Sequence, residues 1–284
     1  MGLFDKKYCD VCGEKIGLLG NKKLEDANLC KKCAAKLSPW FNERRHSTLE
    51  EIKQQLAYRE ENKAEVAAFH KTLVLGRGYT KLLVDEDAGK FMITSARDIN
   101  EANPDVLSFS QVTGVDIDID EDRTEIMKED QDGKRVSYEP KRYEYEYDFD
   151  AIVRVNHPYF DEMRFRLNDS SVETGSRSIN DAPPAPAGKG NAGDVVGNFL
   201  GALAGGIQAA AAGKGAVWNA EYQEYLKLAE QVKAVLMGGR NAMREEAEAA
   251  SAPKIKVTCP FCKATMIPDE NGCCEYCGSA LPKA

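Results

Sequence analysis

Eight cysteines fall into two tetrads, each built from two C-x-x-C pairs within one short segment. Cys9, Cys12, Cys30 and Cys33 stand near the start, and Cys259, Cys262, Cys274 and Cys277 near the end. Two tight turns that each present a pair of sulfurs can place four thiolates tetrahedrally around one zinc ion. Such a site leaves no coordination position for water or substrate. The expected chemistry is therefore structural: two Zn2+ ions that let two small segments fold. Cys273 is the ninth thiol. The register of Gly278 favours Cys274 as the ligand and leaves Cys273 as a small, partly buried residue.

No other residues in the sequence form a recognisable reactive set. His46, His70 and His157 sit in no nucleophile or metalloprotease motif, and Gly76-Arg-Gly78 is too short for a phosphate or dinucleotide loop. The doubled C-x-x-C pairs read as shared metal ligands, since no thioredoxin-like strand-helix setting surrounds either. Asp118, Asp120, Asp122 and Glu129 occupy calcium-loop positions, yet Arg123 stands where that loop requires glycine. Strand alternation accounts for these acids instead. The chain is not expected to be an enzyme, and no catalytic residue is assigned.

The elements around the first tetrad (residues 1–45) predict a small zinc module. Gly13 relieves the turn after Cys12, a hairpin is expected from Ile16–Leu19 and Lys22–Glu25 around Gly20-Asn21, and Cys33 leads into good helix formers. Knuckle, hairpin and helix make a treble clef. Ser47-Thr-Leu-Glu50 predicts a capping box opening a helix to about Lys71, the core of a connector over 46–75. Its charged middle, Arg59 to Lys63 with Asn62 alone uncharged, reads as a solvated face.

From residue 76 to 169 the apolar period becomes two. Leu82, Val84, Phe91 and Ile93, then Val112 to Ile119, then Tyr143, Tyr145, Tyr147, Phe149, Val153 and Val155, and finally Met163, Phe165 and Leu167 predict about seven antiparallel strands. Residues 170–217 turn Gly-, Ala- and Pro-rich and read as a disordered insertion. Within it the uncharged stretch 195–212 carries small residues every fourth position, so a self-association helix is the alternative to a linker; a membrane span is not favoured. A helix from Asn219 should pack on the strands and stop at Gly238-Gly239, and a polar helical linker from Arg240 to Ala250 should complete the segment 218–252. Residues 253–284, with a hairpin around Asp269 to Gly272, read as a zinc ribbon. The fold class is thus α+β and multidomain, with a central antiparallel β barrel or sandwich.

The net charge of −8 is unevenly spread. Ten Lys or Arg face six Asp or Glu over residues 1–45, and four face three over 254–284, so the middle carries −13. The lysines near the first tetrad compensate a zinc–thiolate cluster of formal charge −2. With no secretory-type apolar run at the start and cysteines spaced as ligands, a reducing cytoplasmic setting is expected.

Tyr8-Cys9-Asp-Val-Cys12-Gly13 through Leu29-Cys30-Lys-Lys-Cys33, continued by Ser38-Pro-Trp40 to Arg44-Arg45, resembles an uncharacterised group of bacterial proteins. These pair a short N-terminal domain of unknown function with later strand-rich and zinc-ribbon parts. The middle, by element order, is similar to pleckstrin-homology-like domains, which implies binding or scaffolding rather than catalysis. The expected function is a zinc-containing adaptor for protein partners, the acidic middle selecting a basic surface or a peptide added at a strand edge. The alternative is nucleic-acid binding through Lys22, Lys23, Lys31, Lys32, Lys36, Arg44 and Arg45 with Trp40 and Phe41.

Overall fold

The structure is a computed structural model that describes residues 6–178, 220–251, 257–266 and 273–281. The stretch 195–212 and the Asp269–Gly272 turn lie outside these residues. Two compact units form, Met1–Asn241 and Ala242–Ala284.

The first unit opens with two short ladders. Strands β1 (Lys7–Tyr8) and β2 (Lys15–Ile16) pair with each other, as do β3 (Lys22–Lys23) and β4 (Asn28–Leu29). The expected hairpin joining Ile16–Leu19 to Lys22–Glu25 does not form. Each strand pairs outward instead, across a segment that holds its own cysteine pair or turn. Helix α1 (Lys31–Ala34) follows, and then α2 (Leu49–Ala68). The capping box of α2 is Thr48 with Glu51, one residue later than expected, because Ser47 turns its hydroxyl back to the Glu43 carbonyl. Asp26 Oδ1 also accepts the Leu49 N–H at 2.8 Å, which ties the start of α2 to the segment that carries the first cysteine tetrad.

Strands β5 (Leu73–Leu75), β6 (Lys81–Asp85) and β7 (Lys90–Thr94), helix α3 (Ile99–Ala102) and β8 (Leu107–Ser108) come next, the four strands forming one antiparallel sheet in chain order. Consecutive residues of β6 and β7 are buried, as expected of strands covered on both faces. The second sheet is built on β9 (Val112–Glu129) and β10 (Arg135–Val155), a long hairpin whose outer part extends as a two-stranded ribbon. Along the other edge of β10 lie β11 (Glu162–Arg166) and β12 (Val172–Ser178), end to end. Two open four-stranded sheets take the place of the closed barrel considered from sequence. Strand β12 stands inside the stretch expected to be disordered.

The break between β11 and β12 is bridged by one side chain. Asn168, 2% exposed, accepts the Phe149 N–H on Oδ1 at 2.8 Å and donates from Nδ2 to the carbonyls of Tyr147 and Ser170. An amide side chain thereby supplies the donor and acceptor that the interrupted ladder lacks, as buried backbone groups require.

Helix α4 (Ala220–Ser251) lays Tyr222 edge-on to Tyr147 and Phe149, with both ring pairs 5.0 Å apart, and buries Ala229, Val232 and Leu236. It does not stop at Gly238-Gly239. A Cβ on Gly239 would stand 2.5 Å from the Phe109 ring, so that glycine permits close packing, while Gly238 faces open space. In the second unit, β13 (Val257–Thr258) pairs with β14 (Thr265–Met266).

Candidate metal centres

The first centre forms because the strands bring two differently built cysteine pairs together. Cys9 and Cys12 sit on a knuckle closed by Cys9 N–H to Glu14 O (2.9 Å) and Gly13 N–H to Cys9 O (2.7 Å), with Gly13 at φ 72°. Cys30 caps α1: its Sγ accepts the Cys33 N–H at 3.4 Å, and its own N–H points to Cys9 Sγ at 3.3 Å. Cys9, Cys30 and Cys33 are buried with Ile16, Leu24, Leu29, Leu37 and Ile52, while Cys12 is exposed.

In the second centre both pairs are knuckles. Cys259 N–H bonds to Ala264 O and Lys263 N–H to Cys259 O, both at 2.9 Å; Cys274 N–H bonds to Ser279 O (2.9 Å) and Gly278 N–H to Cys274 O (2.7 Å). The residue four after the first cysteine has positive φ in all three knuckles: Gly13, Lys263 (φ 63°) and Gly278 (φ 69°). Two are glycine, the residue for which that conformation is least costly; Lys263 adopts it without that freedom. Cys273 lies outside the cluster and forms a backbone bridge with Ala280.

Within each tetrad the four Sγ atoms lie within 4.8 Å of one another. Cys12 and Cys30 sulfurs are 3.8 Å apart, Cys259 and Cys277 3.7 Å, and Cys262 and Cys274 3.5 Å. Zinc–sulfur bonds of about 2.3 Å in a tetrahedron put the sulfurs about 3.8 Å apart, so both donor sets fit zinc. Burial pushes the Cys9 thiol up, but the amides of Cys12, Cys30 and Val11 outweigh it and bring it down to about 6. Burial and the neighbouring thiols push Cys33 up. The Ser279 hydroxyl and amide bring Cys277 down to about 6; Cys262 is pushed up to about 12 by burial and neighbouring thiols, against the pull of the Ala264 amide. Without a cation, four crowded sulfurs cannot all ionise, and a bound dication supplies the compensation that lets them.

Other candidate residues are scattered. His46 and His70 are exposed, and His157 is half-buried among Tyr58, Tyr159 and Phe160, where burial lowers its pKa and the Asp105 carboxylate partly opposes that shift. Asp118, Asp120 and Asp122 lie along extended β9, about 6–7 Å apart on one face, which is not the wrapped arrangement of a calcium loop. Of the basic residues, Lys22, Lys23, Arg44 and Arg45 line an open cleft of about 550 Å³. Lys32 pairs with Glu14 at 3.1 Å.

The charged middle of α2 is solvated on one side only: Glu60, Glu61 and Lys63 are exposed as expected, whereas Arg59 and Asn62 turn inward. Arg59 and Asn62 are 5% and 2% exposed and continue the buried stripe of Ile52 and Gln55. Arg59 donates to Asp105 Oδ1 at 2.6 Å, to Lys36 O at 3.2 Å and to the Asn103 carbonyl; Ser38 and Tyr58 hydroxyls donate to Asp105 at 2.8 and 3.2 Å. Asn62 bonds Asn103 Oδ1 and Pro104 O and accepts the Val106 N–H. Metal module, α2 and the loop before β8 therefore meet in one buried polar network. Apolar periodicity could not reveal it, since three successive stripe positions are Gln, Arg and Asn. The only sequence signal was the spacing of Gln55, Arg59 and Asn62 in phase with Ile52 and Val66.

Residues 7–55 match the family model of a domain of unknown function, DUF4428. That span takes in the whole first tetrad and the opening of α2. A 50-residue stretch is 42% identical to the large-conductance mechanosensitive channel of Chlorobium luteolum (strain DSM 273 / BCRC 81028 / 2530), covering 18% of this chain and 30% of that protein. No solved structure matches the chain. No described helix is long and apolar enough to cross a membrane.

Proposed function

We propose that this chain is a non-enzymatic adaptor: both tetracysteine clusters hold structural zinc, and the β domain binds a protein partner. In this reading the N-terminal module is a treble clef, the C-terminal one a zinc ribbon, and β5–β12 with α4 a pleckstrin-homology-like domain left open.

The observation that carries the reading is the edge of β9. Among the described residues this 18-residue strand pairs with β10 along one side and with no strand on the other. An open edge offers backbone donors and acceptors to an added strand, and alternating side chains decide which strand is accepted. Here the register sets Asp118 opposite Asp150, Asp120 opposite Asp148 and Asp122 opposite Glu146. Arg164 and Arg166 pair with Asp118, Asp148 and Asp150. Asp120, Asp122 and Glu146 form no ion pair among the described residues. A second copy would bring aspartates against aspartates, whereas an extended segment with Lys or Arg at alternate positions would complement the row. The nucleic-acid alternative draws on the Lys22–Arg45 cleft, but Phe41 packs against the module's core, so the cleft lacks one of the aromatics that base stacking calls for.

The test is crosslinking and capture of the full chain in its native cell beside an Asp120→Lys, Asp122→Lys, Glu146→Lys variant. A reproducible partner set that the variant loses is expected. No reproducible set, or one that the variant retains, contradicts the proposal.

A further inference from the structure

Leu18 and Leu19 stand almost fully in water, 86% and 87% exposed, at the tip of a turn closed by the Gly20 N–H to the Gly17 carbonyl at 2.9 Å. The aliphatic residues flanking the turn are used otherwise: Ile16 and Leu24 are 7% and 1% exposed in the core beneath the metal ligands. The module therefore completes its core without this pair, which projects as a convex apolar tip.

Cations flank it along the chain and line the cleft that begins at Asn21. Lys15 precedes the turn, and Tyr8, 53% exposed, is its cross-strand partner. Lys22 and Lys23 follow, and the Arg44 guanidinium donates to the Lys23 carbonyl, which brings Arg44 and Arg45 into the same cleft. Acidic groups nearby are engaged elsewhere: Glu14 with Lys32, Asp10 with the Asn28 N–H, and Asp26 with the start of α2. Glu25 lines the cleft and is the one carboxylate among its lining residues.

We propose that this tip docks the N-terminal module on an anionic lipid surface, with Leu18 and Leu19 entering the headgroup–acyl boundary and Lys15, Lys22, Lys23, Arg44 and Arg45 attracted to the headgroups. Aliphatic side chains flanked by Lys and Arg are the combination that interfacial binding uses, an apolar anchor plus electrostatic attraction to acidic lipid. A convex tip suits a fluid surface that needs no preformed pocket. Leucine has no planar face on which a nucleic-acid base could stack, and a second copy would set lysines against lysines.

The test is sedimentation of the full zinc-loaded chain with vesicles of phosphatidylcholine alone and of phosphatidylcholine mixed with phosphatidylglycerol. Binding to the mixed vesicles alone is expected, weakened by raising salt from about 0.1 M to about 1 M, where the screening length falls from about 10 Å to about 3 Å. Leu18→Ser with Leu19→Ser should lower partitioning at least about tenfold, and Lys22→Glu with Lys23→Glu should remove it. All four positions are outside the metal ligands, so unchanged zinc content verifies that both variants fold. No binding to the mixed vesicles overturns the proposal. So does full retention by the leucine variant, or salt-sensitive retention of RNA or DNA without vesicle binding.

Discussion

At the scale of single residues, the Arg59–Asp105 pair couples the metal module to the strands. Both side chains are nearly or fully buried, at 7% and 0% exposure, and Ser38 and Tyr58 complete the carboxylate's hydrogen bonds. Removing one partner strands the other without a counter-charge. Asp105→Leu alone should therefore destabilise the zinc-loaded protein by about 3–5 kcal/mol, whereas Asp105→Leu with Arg59→Met should restore much of that loss. Denaturant unfolding of the two variants checks it; equal destabilisation in both would show that the pair acts through something other than its charges. The eight sulfurs were legible in the sequence because C-x-x-C spacing encodes a local turn. Arg59 was not, because a buried cation obeys the geometry of its partner, Asp105, which lies 46 residues away.

Elements follow the same division. The alternation from Tyr143 to Val155 and the apolar pattern of α4 depend on periodicity, and both elements form. Pairing was less legible. Lys15–Ile16 joins Lys7–Tyr8 rather than the segment after Gly20, and the composition after Asn168 hides β12, whose ladder is completed by the Asn168 side chain. Gly238-Gly239 shows why a helix stop signal can fail: packing of α4 on Phe109 stabilises the helix beyond the propensity cost of two glycines. The two positions should therefore respond oppositely. Gly238→Ala meets nothing and should raise stability by up to about 1 kcal/mol, while Gly239→Ala drives a methyl into Phe109 and should cost about 1–3 kcal/mol. Thermal midpoints of the zinc-loaded variants decide; a rise for both would mean that α4 and Phe109 are not packed as described.

Across the whole molecule, charge and cysteine spacing mark out the same segments. The basic first module, the −13 middle and the closing tetrad were visible as composition and spacing, while the open β9 edge and the exposed Leu18-Leu19 tip emerge only once strands are paired. Segments as small as the terminal modules bury too little apolar surface to fold unaided, and a structural zinc contributes on the order of 10 kcal/mol to such a domain. The central claim is that eight named thiolates hold two such ions. Native mass spectrometry of reduced full-length protein, with elemental analysis of the same sample, tests it most directly. Two zinc ions per chain are predicted, falling to one in a Cys12→Ser, Cys33→Ser variant and to one in a Cys262→Ser, Cys277→Ser variant. A wild-type chain that folds with no bound metal, or that keeps both ions after either pair is replaced, would contradict the account.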